Sequence, residues 1–156
     1  MVHSYARAKG FTLIEVVVVV VIVGVLAIIL VPTLISYISK SKLSTANTNA
    51  KLSFEAAAEY CVFSSNNDAP VSVGNYNEIC LKSKKIPDEV TYDGKHLEDA
   101  LLKSMGSKSS KAGYASISVN IRGVPQDARW SGKPGDKYVG SYPKRAGEVS
   151  AYDLSY

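Results

Sequence analysis

Charge is missing from one long stretch of this chain: no acidic or basic residue falls between Glu15 and Lys40. Histidine is nearly absent, with His3 and His96 alone, and tryptophan occurs once, as Trp130. Arginine supplies four of the 18 basic residues, and cysteine occurs twice, as Cys61 and Cys80. Each shortage excludes something. With one histidine beyond residue 10, no nucleophile–base or paired-acid arrangement can be drawn, so an enzyme is not expected. His96 beside Glu98 and Asp99 has neither the number nor the spacing of a metal site, and no metal or cofactor is expected. Lys82, Lys84, Lys85, Lys103, Lys108 and Lys111 could meet phosphates, but with little arginine and interspersed acids, nucleic acid is not an expected partner.

What is present divides the chain in two. Every residue from Val16 to Val31 is apolar or glycine. Beyond residue 64 the chain is rich in Ser, Gly, Lys and Tyr, like the exposed part of a secreted protein. Residues 1–10, MVHSYARAKG, are short, polar and basic, and the apolar run starts directly after Gly10. A secretory signal peptide is cut after its apolar region, at small residues. Here the small-residue junction precedes it, so cleavage at Gly10–Phe11 would remove the leader and keep the helix. Arg7 and Lys9 would hold this end in the cytoplasm. Losing them leaves 16 basic against 14 acidic residues, a nearly balanced surface.

Phe11 to Leu34 would span about 36 Å as a helix, enough for a bilayer core with some tilt. Valine is an indifferent helix former in water, but in lipid the backbone must satisfy its own hydrogen bonds and the helix forms regardless. Glu15 stands out, because a carboxylate at such a position costs at least ~2.5 kcal/mol and marks a functional site by default. Pro32 removes a backbone donor and clashes with the carbonyl of Ile28, so a kink or local unwinding is expected there, with Gly24 a second weak point.

The stretch Lys9-Gly10-Phe11-Thr12-Leu13-Ile14-Glu15-Val16, running on to Gly24 and Pro32, resembles the type IV pilin and pseudopilin family. The resemblance covers roughly the first third of the chain. It combines a basic leader, glycine before the cut, an aromatic after it, a carboxylate four residues on and a long apolar run. It implies that Gly10–Phe11 is the bond cut by prepilin peptidase and that Phe11 becomes an N-methylated terminus. It also implies pairing of the Glu15 carboxylate with the Phe11 ammonium of a neighbouring subunit, each charge offsetting the other's desolvation. Partners would then be further copies of the chain in a helical filament, prepilin peptidase, the pilus assembly machinery and, before assembly, the membrane. The precursor would cross the cytoplasmic membrane once and then leave it for an extracellular pilus.

Past the membrane, Leu43, Ala46, Ala50, Phe54, Ala57 and Cys61 recur at spacings of three and four, one face of a continuing helix. Ser64 to Pro70 carries turn formers that end it. Short helices are expected at Tyr76–Leu81 and His96–Met105. Ala115, Ile117, Val119 and Ile121 alternate with polar residues as a half-buried strand, and Tyr138–Tyr142 and Glu148–Leu154 read as further strands. Gly123–Lys137, with Trp130, reads as a long loop. In an exported chain Cys61 and Cys80 would form a disulfide, closing a loop of about 20 residues and stabilising by roughly 3 kcal/mol.

The expected fold class is α+β: a long N-terminal helix spine, membrane-spanning in its first half, packed against a small antiparallel sheet. The layout is a leader at 1–10, a membrane and filament-core helix at 11–35, its amphipathic continuation at 36–63 and a head at 64–156. A structural filament subunit leads. A pseudopilin of a type II secretion or competence machine shares the whole N-terminal signal. A signal-anchored surface protein whose head binds a ligand is the alternative of another class. Trp130, Tyr138, Tyr142, Tyr152 and Tyr156 could stack on glycans, though strand tyrosines more often cover a core edge.

Overall fold

The computed structural model describes residues 10–82, 84–107 and 111–144. Helix α1 (Leu13–Asn66) is followed by β1 (Gly74–Cys80), α2 (Leu97–Met105), β2 (Tyr114–Val119), β3 (Pro125–Ser131) and β4 (Gly140–Tyr142). The chain divides into two units, one ending at Ile38 and the other beginning at Ser39. The layout is α+β, a long helix with a small antiparallel sheet packed on it.

In the first unit every side chain from Phe11 to Tyr37 is exposed, although almost all are apolar. A surface of this kind is stable in lipid or against other apolar helices, not in water. The helix runs through Gly24 and Pro32 without a break. Next to Pro32 the Thr33 hydroxyl donates to the carbonyls of Ile29, at 2.7 Å, and Leu30, at 3.2 Å. Such back-bonding lets a hydroxyl satisfy itself inside the helix, where lipid offers no partner.

In the second unit α1 turns amphipathic. Leu43, Ala46, Asn49, Ala50, Ser53, Ala56, Ala57, Tyr60, Cys61 and Ser64 are buried, at the spacings the sequence suggested, with Phe54 half-buried beside them. The helix ends in a Schellman arrangement: the Ala69 N–H bonds the Ser64 carbonyl at 3.0 Å and the Asp68 N–H the Ser65 carbonyl at 3.2 Å. Asp68 takes the left-handed conformation this requires, with φ of 56°. Leu97, Leu101, Leu102 and Met105 of α2 are buried in the same core, as the sequence reading of 96–105 expected.

The sheet is a four-stranded antiparallel meander in the order β1-β2-β3-β4. Opposed residues share a face. One set therefore comprises Tyr76, Ile79, Ala115, Ile117, Val119, Ala128, Trp130, Gly140 and Tyr142; its apolar side chains join the core. Cys80, Tyr114, Ser116 and Arg129 belong to the opposite face. At β4 the sheet meets small residues of α1, with Gly140 directly over the backbone of Ala46 and Asn47.

Two expectations are corrected, and a third, the disulfide, is not shown. Tyr76–Leu81 is strand, not helix: a bulge between Tyr76 and Ile79, with Glu78 at φ 50°, places both apolar residues on the core face three positions apart. That spacing imitates a helix. Gly123–Lys137 is not a loop throughout, because β3 occupies its middle. Asp127 and Arg129 alternate with Ala128 and Trp130, and Pro125 takes the first position of the strand, where its missing N–H matters least. Cys61 and Cys80 are unbridged thiols; Cys61 belongs to the core while the register turns Cys80 to the opposite face beside Tyr114. Strand β2 stops at Val119, and Ile121 stands 87% exposed in the turn that follows. The strand expected at Glu148–Leu154 lies outside the described residues.

Candidate functional site

The candidate site is the start of α1. Gly10 and Phe11 precede the helix, and Phe11 is 87% exposed. Thr12 then occupies the N-cap position and Glu15 the third helical position. The Thr12 N–H and hydroxyl both donate to Glu15 Oε2 at 2.8 Å. The Glu15 N–H returns a bond to the Thr12 hydroxyl at 3.3 Å. This is a reciprocal capping box, T-x-x-E, which satisfies two of the backbone donors every helix start leaves open. The Glu15 carboxylate also complements the positive end of the helix dipole. Sequence reasoning singled out Glu15 but missed Thr12; the signal was the three-residue spacing ahead of an apolar run.

The carboxylate is thus anchored by one oxygen. Among the described residues no hydrogen bond reaches Oε1. The arrangement holds a negative charge in a fixed place at the edge of an apolar surface. It can receive a cationic donor there without rebuilding the helix.

The other residues that carry chemistry fall elsewhere. His96 Nδ1 lies 2.9 Å from each Asp93 carboxylate oxygen, while Glu98 pairs with Lys84. The acids sequence-adjacent to His96 are therefore not its partners. The Tyr60 hydroxyl accepts the His96 N–H at 2.8 Å and lies 3.2 Å from Asp93 Oδ1 and the Thr91 carbonyl. This cluster ties the segment before α2 to α1. No group able to hold a metal ion occurs among the described residues. Cys61 is no nucleophile: burial pushes its thiol up to about 11. Trp130 is buried, its indole N–H donating to the Lys111 carbonyl at 3.0 Å, and Tyr142 packs on Phe54 with ring centroids 5.0 Å apart. Tyr152 and Tyr156 lie outside the described residues.

The His96 cluster makes the head's stability depend on pH. The hydrogen bond to Asp93 raises the His96 pKa above its ordinary 6.5. Folding therefore gains most below that value and loses the gain as pH rises through the elevated one. Asp93, depressed chiefly by His96, loses its contribution only when pH falls through its lowered value. Thermal melting should occur at a lower temperature in mildly alkaline than in mildly acidic buffer. His96→Asn should flatten that dependence; an unchanged pH profile would show the pair to be inert.

The prokaryotic N-terminal methylation motif matches residues 5–31. The chain is 44% identical over 54 residues to the type IV major pilin protein PilA of Myxococcus xanthus (strain DK1622), a match covering 35% of this chain and 24% of that protein. The chain thus spans about a quarter of the length of the curated relative it matches. No solved structure matches the chain significantly. The methylation motif covers the capping box and most of the exposed apolar helix. Over this N-terminal segment the chain is similar to type IV pilins, in the methylation motif and in the stretch it shares with the Myxococcus pilin.

Proposed function

We propose that the chain is the precursor of a filament subunit, cut at Gly10–Phe11 by prepilin peptidase, N-methylated on Phe11 and polymerised through α1 into an extracellular type IV pilus. The observation that carries this is the exposed apolar surface of α1 opening on an anchored carboxylate. Helix α1 is long and apolar enough to cross a membrane, and its apolar side chains up to Ile38 are exposed among the described residues. In the stored precursor lipid would cover them; in the filament, the helices of neighbouring copies would. A plain anchor needs length and hydropathy alone, and its helix start could be capped without a charge that lipid penalises.

After cleavage the new α-amino group of Phe11 would be cationic at neutral pH. Placed against Glu15 of a neighbour, it would give two buried charges a mutual partner. Misaligned helices would leave both uncompensated, so the pair would set register more than raw affinity. The name of the Myxococcus relative, a major pilin, supports the pilus over a secretion or competence pseudopilin.

Processing is the direct test. Co-produced with a prepilin peptidase, the full-length chain should lose residues 1–10 and remain in the membrane fraction. Gly10→Leu should block the cut without disturbing insertion, because a side chain there prevents the close backbone approach that glycine permits. A chain that stays uncut beside an active peptidase would leave a plain signal anchor.

A further inference from the structure

The second unit carries a groove of about 690 Å³ between α1 and the segment joining β3 to β4. Ser41 and Lys42 line it from the helix, and Lys133, Asp136, Lys137 and Tyr138 from the connection. Tyr138 is fixed by a hydrogen bond between its hydroxyl and that of Ser39 at 3.1 Å. The Lys42 ammonium lies 5.4 Å and the Lys137 ammonium 5.0 Å from the centroid of that one ring. Among the described residues no carboxylate lies within 4.0 Å of Lys42, Lys133 or Lys137. Asp136 also lines the groove and keeps its charge while its Oδ1 accepts the Tyr138 N–H at 3.3 Å, which leaves three lysines against one carboxylate. The ring's hydroxyl is held below the ordinary tyrosine range by the Ser39 hydrogen bond and then by Lys137, as a positive local field requires. Cations in excess around one ring suit an anion.

Position in the chain says where that anion comes from. Ile38 ends the apolar segment, and Lys42 follows four residues later. Chain reach alone keeps Lys42 within about 14 Å of that end in any conformation. A span beginning in the cytoplasm would deliver this point to the outer headgroup layer, the depth at which lysines and tyrosines anchor.

We propose that this groove seats the phosphate headgroup of an anionic phospholipid in the outer leaflet of the membrane that stores the subunit. The assignment rests on the membrane-anchored reading above. The phosphate offsets the repulsion among the three ammoniums, and the Ser41 hydroxyl serves the glycerol end. The seat orients the head against the bilayer and must empty as the subunit enters a filament.

The test uses the full-length precursor in nanodiscs of equal parts phosphatidylcholine and phosphatidylglycerol, released for native mass spectrometry. Phosphatidylglycerol should be retained selectively, and less so with added salt. Lys42→Gln/Lys133→Gln/Lys137→Gln should lower that selectivity by roughly 100-fold, the product of three surface lysines at an anionic membrane. Lys51→Gln/Lys85→Gln/Lys95→Gln, equal in charge removed, should leave it intact. Equal retention of both lipids, or a triple groove variant that behaves like the native chain, would overturn the proposal. So would displacement by stoichiometric inorganic phosphate, which would mark a site for the free anion. Failure to enter the discs at all would defeat the anchored reading itself and is seen before any lipid is counted.

Discussion

Glu15→Gln should leave the precursor inserted and processed yet reduce filament yield by roughly 100-fold or more. Glutamine keeps the shape of the side chain and, as the alternative last residue of a capping box, still accepts from Thr12. The helix start therefore survives and the charge alone is lost. Removing one partner of a buried pair costs about 3–5 kcal/mol, because the remaining Phe11 ammonium stays desolvated and unpaired. At 1.4 kcal/mol for each factor of ten, that range is about 100- to 4,000-fold. Thr12→Val makes the contrast: it removes the cap hydroxyl, costs about 1 kcal/mol and should thin the filaments only several-fold. Electron microscopy and sheared-filament yield from cells carrying each variant would separate the two. Filaments at native abundance from Glu15→Gln would refute the charge pairing.

Gly140→Ala should be the most damaging single-methyl change in the head. A Cβ there would lie 2.0 Å from the Ala46 carbonyl carbon, 2.2 Å from its oxygen and 2.3 Å from the Asn47 nitrogen. All three are backbone atoms of α1, so no side chain can turn aside. β4 must lift off the helix, carrying with it the Tyr142–Phe54 contact and the Ser141 N–H bond to the Asn47 side chain at 3.0 Å. Overpacking usually costs 1–3 kcal/mol, and a backbone collision belongs at or above the top of that range. A loss of about 3 kcal/mol lowers the melting temperature of a domain this size by roughly 12–24 °C. Gly135→Ala is the control, with nothing within 4 Å of its Cβ; its φ of 65° should cost about 1 kcal/mol. Calorimetry of the detergent-solubilised chain would read both, and equal shifts would dissolve the claim of close sheet-on-helix contact.

The membrane segment was legible because its signals are local and costly to imitate: no charge from 16 to 39, a basic leader, and a carboxylate that lipid would penalise. The amphipathic half of α1, helix α2 and the core of β2 followed from regular periods. What escaped depends on pairing between distant residues. The bulge in β1 gave two core residues a helical spacing, and β3 hid among Gly, Pro and charged residues because its burial comes from β2 and β4 on either side. The cysteine count suggested that a bridge was feasible; only strand register shows that Cys61 and Cys80 face different sides. At the site, Glu15 announced itself by its cost, whereas Thr12 looked ordinary until the cap geometry made it the carboxylate's partner.

The central claim is that α1 of this chain enters a filament as a processed helix. N-terminal peptide mass spectrometry of filaments sheared from the native host tests it most directly. The account predicts a peptide beginning at N-methyl-Phe11 and containing unmodified Glu15. A chain that retains Arg7 and Lys9, found in the membrane fraction and never in the filaments, would contradict it.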